Sequence, residues 1–179
     1  MKPAPNLALV GPMGAGKTSV ARMLAPLLGL RFADTDLDIE HAAGLAVAAL
    51  FERDGEAGFR RLEREALARR LAGHGQVLAT GGGAVLDPDN RALLRARAFV
   101  VHLHASPAEQ SARLQGDHSR PLLQGLDTTA RLEALAAARD PLYAAVADLH
   151  LDTGGTPPAE VTRQLMAGLE GRWHPGETA

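Results

Sequence analysis

Cysteine is absent from this 179-residue chain, which excludes a disulfide framework, a thiolate metal site and a thiol nucleophile. Aromatic residues make up only 3% of it, so the core has to be built from Leu, Ala and Val. No apolar run reaches the roughly 18 residues that a membrane span requires. The formal net charge of -2 argues against a general binder of nucleic acid or of membrane surfaces. Residues Met1 to Asn6 run directly into a strand pattern without the shape of a signal peptide, and a cytoplasmic location is expected. Lysine is nearly missing as well. Of 19 basic residues, 17 are Arg, and the two lysines are Lys2 and Lys17. A chain that uses Arg for almost every cation and Lys at position 17 asks there for a compact point charge.

What is present is ordinary for a soluble globular protein: 46% hydrophobic and 22% charged residues. The length suits a single domain spanning 1–179, with a core from about residue 6 to 170. A chain of this size buries roughly 70% of its unfolded surface. Strand-like apolar runs alternate with helical stretches: Leu7 to Val10, Arg31 to Asp36, Gln76 to Thr80, Phe99 to Leu103 and Asp148 to Asp152 read as strands. Between them, Thr18 to Leu28, Ala42 to Leu71 (interrupted near Asp54-Gly55), Pro88 to Arg95, a segment opening at Ser106-Pro107, Thr128 to Tyr143 and Ala159 to Leu169 read as helices. Gln115 to Asp127 reads as a long loop, and the tail from Gly171 as frayed. The alternation predicts an α/β fold with a five-stranded parallel sheet covered by helices on both faces, and ligands bound beyond the carboxyl ends of the strands.

The chemistry gathers at three of those ends. Gly11-Pro12-Met13-Gly14-Ala15-Gly16-Lys17-Thr18 satisfies Gly-x-x-x-x-Gly-Lys-Thr, after a strand and before a helix, as a phosphate-binding loop requires. Backbone N–H groups from Gly14 to Ser19 and the helix N-terminus would cradle the phosphates of a nucleoside triphosphate, a motif shared by kinases, GTPases and motor-type ATPases. Lys17 would reach the terminal phosphates, and the Thr18 hydroxyl would ligate Mg²⁺. Asp34-Thr35-Asp36 closes the second strand. In an extended chain these carboxylates point to opposite sides, one to the metal and one to a substrate hydroxyl whose proton it can accept. A solvated turn with helix capping by Asp36 is the alternative. Gly81-Gly82-Gly83 follows the third strand, leaving backbone N–H groups open to a close ligand and the chain free to bend; Thr80 before it could hold a metal-bound water. A flexible connector is the alternative there.

Among the arginines, Arg61, Arg64, Arg69 and Arg70 read as a solvated helix face with local ion pairs. Arg60 sits where the chain turns after Gly58-Phe59, with Glu63 one turn on to fix its guanidinium. Arg120, in the long loop, is a lid or finger candidate. Arg139 carries no signal of its own near its helix end. The histidines show no metal-ligand spacing, and His102 and His104 read as ordinary partly buried residues.

The chain strongly resembles the shikimate kinase family from about Leu7 to about Leu169. The likeness rests on five segments in order: Gly11 to Thr18; Phe32 to Asp36 with Ile39-Glu40; Gly55-Glu56 with Phe59 to Glu63; Thr80 to Gly83; and Arg120 to Leu123, then Arg139 with Pro141-Leu142-Tyr143. The resemblance implies ATP-dependent phosphorylation of the shikimate 3-hydroxyl, with Asp36 orienting or deprotonating it and Asp34 binding Mg²⁺ through water. It implies that Arg60 and Arg139 hold the substrate carboxylate, that Glu63 positions Arg60, and that Gly81 to Gly83 contact the ring hydroxyls. It also implies that Arg120 closes onto phosphate and that Arg113 lies near the adenine. Segment 34–63 would bind substrate, segment 115–126 would form the lid, and the protein would act as a monomer. The chain departs from many relatives at Gly154 to Pro158, where they carry basic residues near the adenine. A kinase of another small polyol such as gluconate, and a non-enzymatic nucleotide switch, are the competing readings.

Overall fold

A computed structural model describes residues 1–116, 121–123 and 127–176. In chain order the elements are β1 (Lys2–Ala4), β2 (Asn6–Val10), α1 (Lys17–Leu27), β3 (Arg31–Asp34), α2 (Thr35–Ala43), α3 (Val47–Ala72) and β4 (Gln76–Ala79). They continue as α4 (Pro88–Arg97), β5 (Ala98–His104), α5 (Pro107–Arg113), α6 (Thr128–Val146), β6 (Leu149–Asp152), α7 (Pro158–Leu169) and β7 (Trp173–Pro175). Five strands form one parallel sheet in the order β3-β4-β2-β5-β6. The expected architecture is present, with β2 at the centre.

Alternation along the central strands divides the core in two. Leu7, Leu9, Val101 and Leu103 pack with Val20 and Leu24 of α1 and Leu165 of α7. Ala8, Val10, Leu78 and Val100 pack on the other face with Leu67 of α3, Leu94 of α4 and Tyr143 of α6. A separate cluster of Ile39, Leu50, Phe59 and Ala66 gives α2 and the first part of α3 an apolar anchor of their own. Each fully buried Leu or Phe of this kind stabilises by roughly 1.5–3 kcal/mol.

Some expectations change. The second strand stops at Asp34, and Thr35 and Asp36 already belong to α2. The Asp34 carboxylate accepts from the N–H groups of Asp36 and Leu37, so Asp34, not Asp36, caps the helix. The interruption near Asp54-Gly55 is real: Gly55 has φ 68°, ψ 178°, a left-handed φ that breaks α3 into two arms. Leu27, at the last turn of α1, is 62% exposed.

The tail is not frayed at Gly171. Trp173 to Pro175 pair in parallel with Lys2 to Ala4. The Trp173 indole is buried and donates to the Ala4 carbonyl at 3.2 Å, while Lys2 Nζ reaches Asp148 at 2.6 Å. One indole supplies enough apolar area to seat a segment that is otherwise polar.

Candidate active site

The phosphate loop follows β2 at the centre of the sheet. Gly11 has φ 144°, and a Cβ there would run into the Leu103 carbonyl of β5. Gly14 and Gly16 have φ 77° and 84°, left-handed values that suit only glycine at low cost. Gly16 caps α1 with no side-chain hydrogen bond, and the first turn of α1 holds no acid, which leaves its N–H groups and positive helix end to an anion. The Lys17 Nζ donates at 2.7 Å to the carbonyls of both Gly11 and Pro12, folding over the loop in the position from which it can reach a phosphate. Ser19 is exposed on α1, and its side chain lines neither cavity described below.

A cavity lies on each side of this loop. One, of about 560 Å³, is lined by Gly14, Ala15, Gly16, Arg113, Thr156 and Pro157 among others. Arg113 spans its wall, donating to the Gly14 carbonyl at 2.8 Å and to the Thr153 hydroxyl and carbonyl at 3.1 and 2.5 Å. The turn from Gly154 to Pro158 is free of basic residues, and Gly155 to Pro158 of it line this cavity.

The other cavity, of about 320 Å³, brings together Thr18, Asp34, Asp36, Arg60, Glu63, Gly81 to Gly83 and Arg139. These come from α1, the end of β3, α2, α3, the turn after β4, and α6. The Thr18 hydroxyl donates to Asp34 at 2.7 Å. Asp36, in the first turn of α2, faces the cavity because its helix starts there, not because of strand alternation. Arg60 donates from Nη1 to Glu63 at 2.7 Å and from Nη2 to Glu56 at 3.1 Å. Burial pushes the Glu63 carboxyl up from the ordinary carboxylate range, and the Arg60 and Arg139 charges pull against that. Arg139, unremarked by its sequence setting, is 4% exposed. A buried arginine beside an apolar core needs an anion to justify its desolvation. Arg64 is exposed and Arg70 half-buried, and both are ion-paired with partners on other elements: Arg64 pairs with Asp87 and Asp89, and Arg70 makes a bidentate pair with Asp38 across α2 and α3.

Of the two reasons expected for the glycine run, freedom to bend is not used: none of Gly81, Gly82 and Gly83 has a positive φ. A Cβ on Gly81 would strike Glu63 and Asp36, and one on Gly83 would strike Arg60. Gly81 and Gly83 thus let charged side chains lie against the backbone. Thr80 does not face the metal side: it is buried and its hydroxyl donates to the Leu9 carbonyl at 3.1 Å.

His102 is more buried than expected, at 3% exposure, with its Nδ1 3.0 Å from the Nδ1 of His150. Burial, with the neighbouring His150, His104 and Lys17 charges, holds it down at about 4. Sequence reasoning gave no role of its own to Met13, which lines the cavity of about 320 Å³, or to Tyr143; its being the single tyrosine of the chain was the available signal. Arg120 and most of the loop around it lie outside the described residues. Leu122, in a short turn from Pro121 to Leu123, lines the same cavity.

A hydroxyl and one carboxylate, Thr18 and Asp34, fit a magnesium ion that keeps waters and phosphate oxygens for its remaining positions. Among the described residues no group of three or more His, Cys, Asp or Glu could hold a metal ion. No helix among the described residues is long and apolar enough to cross a membrane.

A family described as shikimate kinase matches residues 13–170 of this chain. A shikimate kinase of Stenotrophomonas maltophilia (strain R551-3) is 56% identical over 173 residues, covering 97% of this chain and 96% of the relative. The solved structure of shikimate kinase from Acinetobacter baumannii in complex with shikimate superposes with a TM-score of 0.90 at 40% identity, covering 93% of each chain. A gluconokinase from Sinorhizobium meliloti shares only the fold, with a TM-score of 0.59 at 21% identity over 94% of each chain.

Proposed function

We infer that this chain, which belongs to the shikimate kinase family, transfers the terminal phosphoryl group of ATP to the 3-hydroxyl of shikimate, releasing ADP. The observation that carries this is the pair of cavities meeting at the phosphate loop, one of them holding Arg60 and Arg139 together with Asp36.

In this reading ATP occupies the cavity of Gly14 to Gly16 and Arg113, with its phosphates on the loop N–H groups and Lys17 moving from the Gly11 and Pro12 carbonyls onto them. Shikimate occupies the smaller cavity. Its carboxylate is taken by the planar forks of Arg60 and Arg139, which can engage both oxygens. Glu63 and Glu56 hold Arg60 in place. Asp36 accepts the hydrogen bond of the attacking hydroxyl and aims it at the terminal phosphorus, taking its proton as the bond to phosphorus forms. Magnesium, held through Thr18 and Asp34, would neutralise phosphate charge. Phosphoryl transfer needs mostly positioning and charge stabilisation. Arg120 closes with segment 115–126 onto the transferring group, and segment 34–63 is the substrate-binding part. We read the protein as a monomer, because one chain supplies every named group, and take its location to be cytoplasmic.

Incubating the pure protein with MgATP and either shikimate, gluconate or AMP tests this. ADP release is expected with shikimate alone. Absence of shikimate-dependent release would sink the reading, and release with gluconate would favour the polyol alternative.

A further inference from the structure

Tyr143 lies inside an apolar cluster with Leu78, Val100 and Val146, is 1% exposed, and stacks on His102 with ring centroids 4.9 Å apart. A phenylalanine would fill that volume without bringing a hydroxyl whose burial costs free energy unless it is hydrogen-bonded. The hydroxyl has a partner: it donates to the Gly82 carbonyl at 2.5 Å. Burial pushes the phenol up to about 12, with the Arg139 guanidinium facing its oxygen and pulling the other way, so it is a neutral donor at physiological pH.

The Gly82 carbonyl matters because the peptide unit is planar and trans. Holding the oxygen of residue 82 toward α6 turns the N–H of residue 83 the opposite way, away from Tyr143. The neighbouring carbonyls are held too: Ala84 N–H donates to Gly81 at 3.1 Å, and Leu86 N–H to Gly83 at 3.0 Å. The Gly81 N–H is bound to the Thr35 hydroxyl at 3.1 Å. Of the three carbonyls, that of Gly82 is the one fixed by a side chain from another element. Arg139 stands one turn before Tyr143 on α6, and a Cβ on Gly82 would lie 3.6 Å from its Nη1. Residues at this spacing share a helix face.

We propose that Tyr143 is a positioning residue for the acceptor: its hydroxyl sets the Gly82–Gly83 peptide so that the Gly83 N–H is presented to a ring hydroxyl of the bound substrate, and α6 thereby delivers the carboxylate clamp and this donor as one unit. The proposal rests on the reading of the smaller cavity as the shikimate site.

The test is Tyr143→Phe, which keeps the ring and removes the hydroxyl. KM for shikimate is expected to rise about tenfold, equivalent to about 1.4 kcal/mol, while KM for ATP stays unchanged. An unchanged shikimate KM overturns the proposal, and so does a parallel rise in both KM values, the signature of a merely structural role. A second measurement needs no variant. In the ¹⁵N-labelled wild-type protein, shikimate is expected to shift the Gly83 amide resonance and slow its hydrogen exchange, and ADP alone is not. A Gly83 amide indifferent to shikimate overturns the proposal even if Tyr143→Phe does not fold. If the wild-type protein fails to phosphorylate shikimate at all, the functional reading falls first, and the assay of the unaltered protein shows it.

Discussion

The Thr18 hydroxyl donates a 2.7 Å hydrogen bond to Asp34 Oδ2, joining the first turn of α1 to the end of β3. The other oxygen of Asp34 accepts from the Asp36 N–H at 2.9 Å. One carboxylate thus aligns the Thr18 hydroxyl, starts α2 and seats Asp36. Asp34→Asn keeps an acceptor for the cap and removes the charge. Its expected effect is a roughly 10–100-fold loss in magnesium affinity or activity, with the fold retained. Titrating activity against magnesium at saturating ATP and shikimate checks this, and an unchanged magnesium profile would count against the metal-side role.

Arg139→Ala should weaken shikimate binding while leaving ATP binding intact. Removing one partner of a buried charged contact costs about 2–5 kcal/mol, so a loss of at least tenfold in shikimate affinity is expected. Calorimetric titrations with shikimate and with a non-hydrolysable ATP analogue separate the two. Equal loss of both would contradict the carboxylate role.

Gly83→Ala tests whether the glycine run exists for space. The added methyl strikes the Arg60 guanidinium, and relieving such overpacking costs about 1–3 kcal/mol. The expected outcome is a raised shikimate KM with a modest drop in Tm. At Gly29, where a Cβ meets nothing within 4 Å but φ is +65°, alanine should lower Tm through backbone strain and leave shikimate KM alone. If Gly83→Ala left shikimate KM unchanged, the packing explanation would fail.

His102 makes the fold acid-sensitive. Its ring stacks on Tyr143 and meets His150, with His104 and Lys17 nearby. Its folded pKa, about 4, lies below the ordinary value of about 6.5. The unfolded chain therefore binds the proton more readily, and the stability contributed by neutral His102 is complete above about pH 6.5 and lost as pH falls toward 4. The difference corresponds to something on the order of 3 kcal/mol. Urea unfolding at several pH values should show a flatter acid limb for His102→Gln than for the wild-type protein. Identical acid limbs would place the sensitivity elsewhere.

The phosphate loop was legible in full, because eight consecutive residues carry their chemistry in local spacing: glycine where φ is positive, Lys17 and Thr18 at the helix start. The strand and helix alternation was legible for the same reason, since apolar periodicity is a local property. Family likeness placed Arg139, whereas its immediate neighbours did not.

Tertiary structure decided what depends on distant neighbours. Asp36 reaches the cavity as a helical residue because Asp34 ends β3 and caps α2. The polar C-terminal segment is ordered because its one indole finds a pocket beside Ala4, a contact between residues 169 positions apart. Arg139 is buried, Gly81 and Gly83 are glycine for want of room, and the Tyr143 hydroxyl has its carbonyl, all through contacts between α6, α3 and the turn after β4. Sequence spacing encodes the local backbone and its hydrogen-bond donors. Which side chain fills which space, and so which charges must be neutralised by a ligand, is settled only when the separate segments pack.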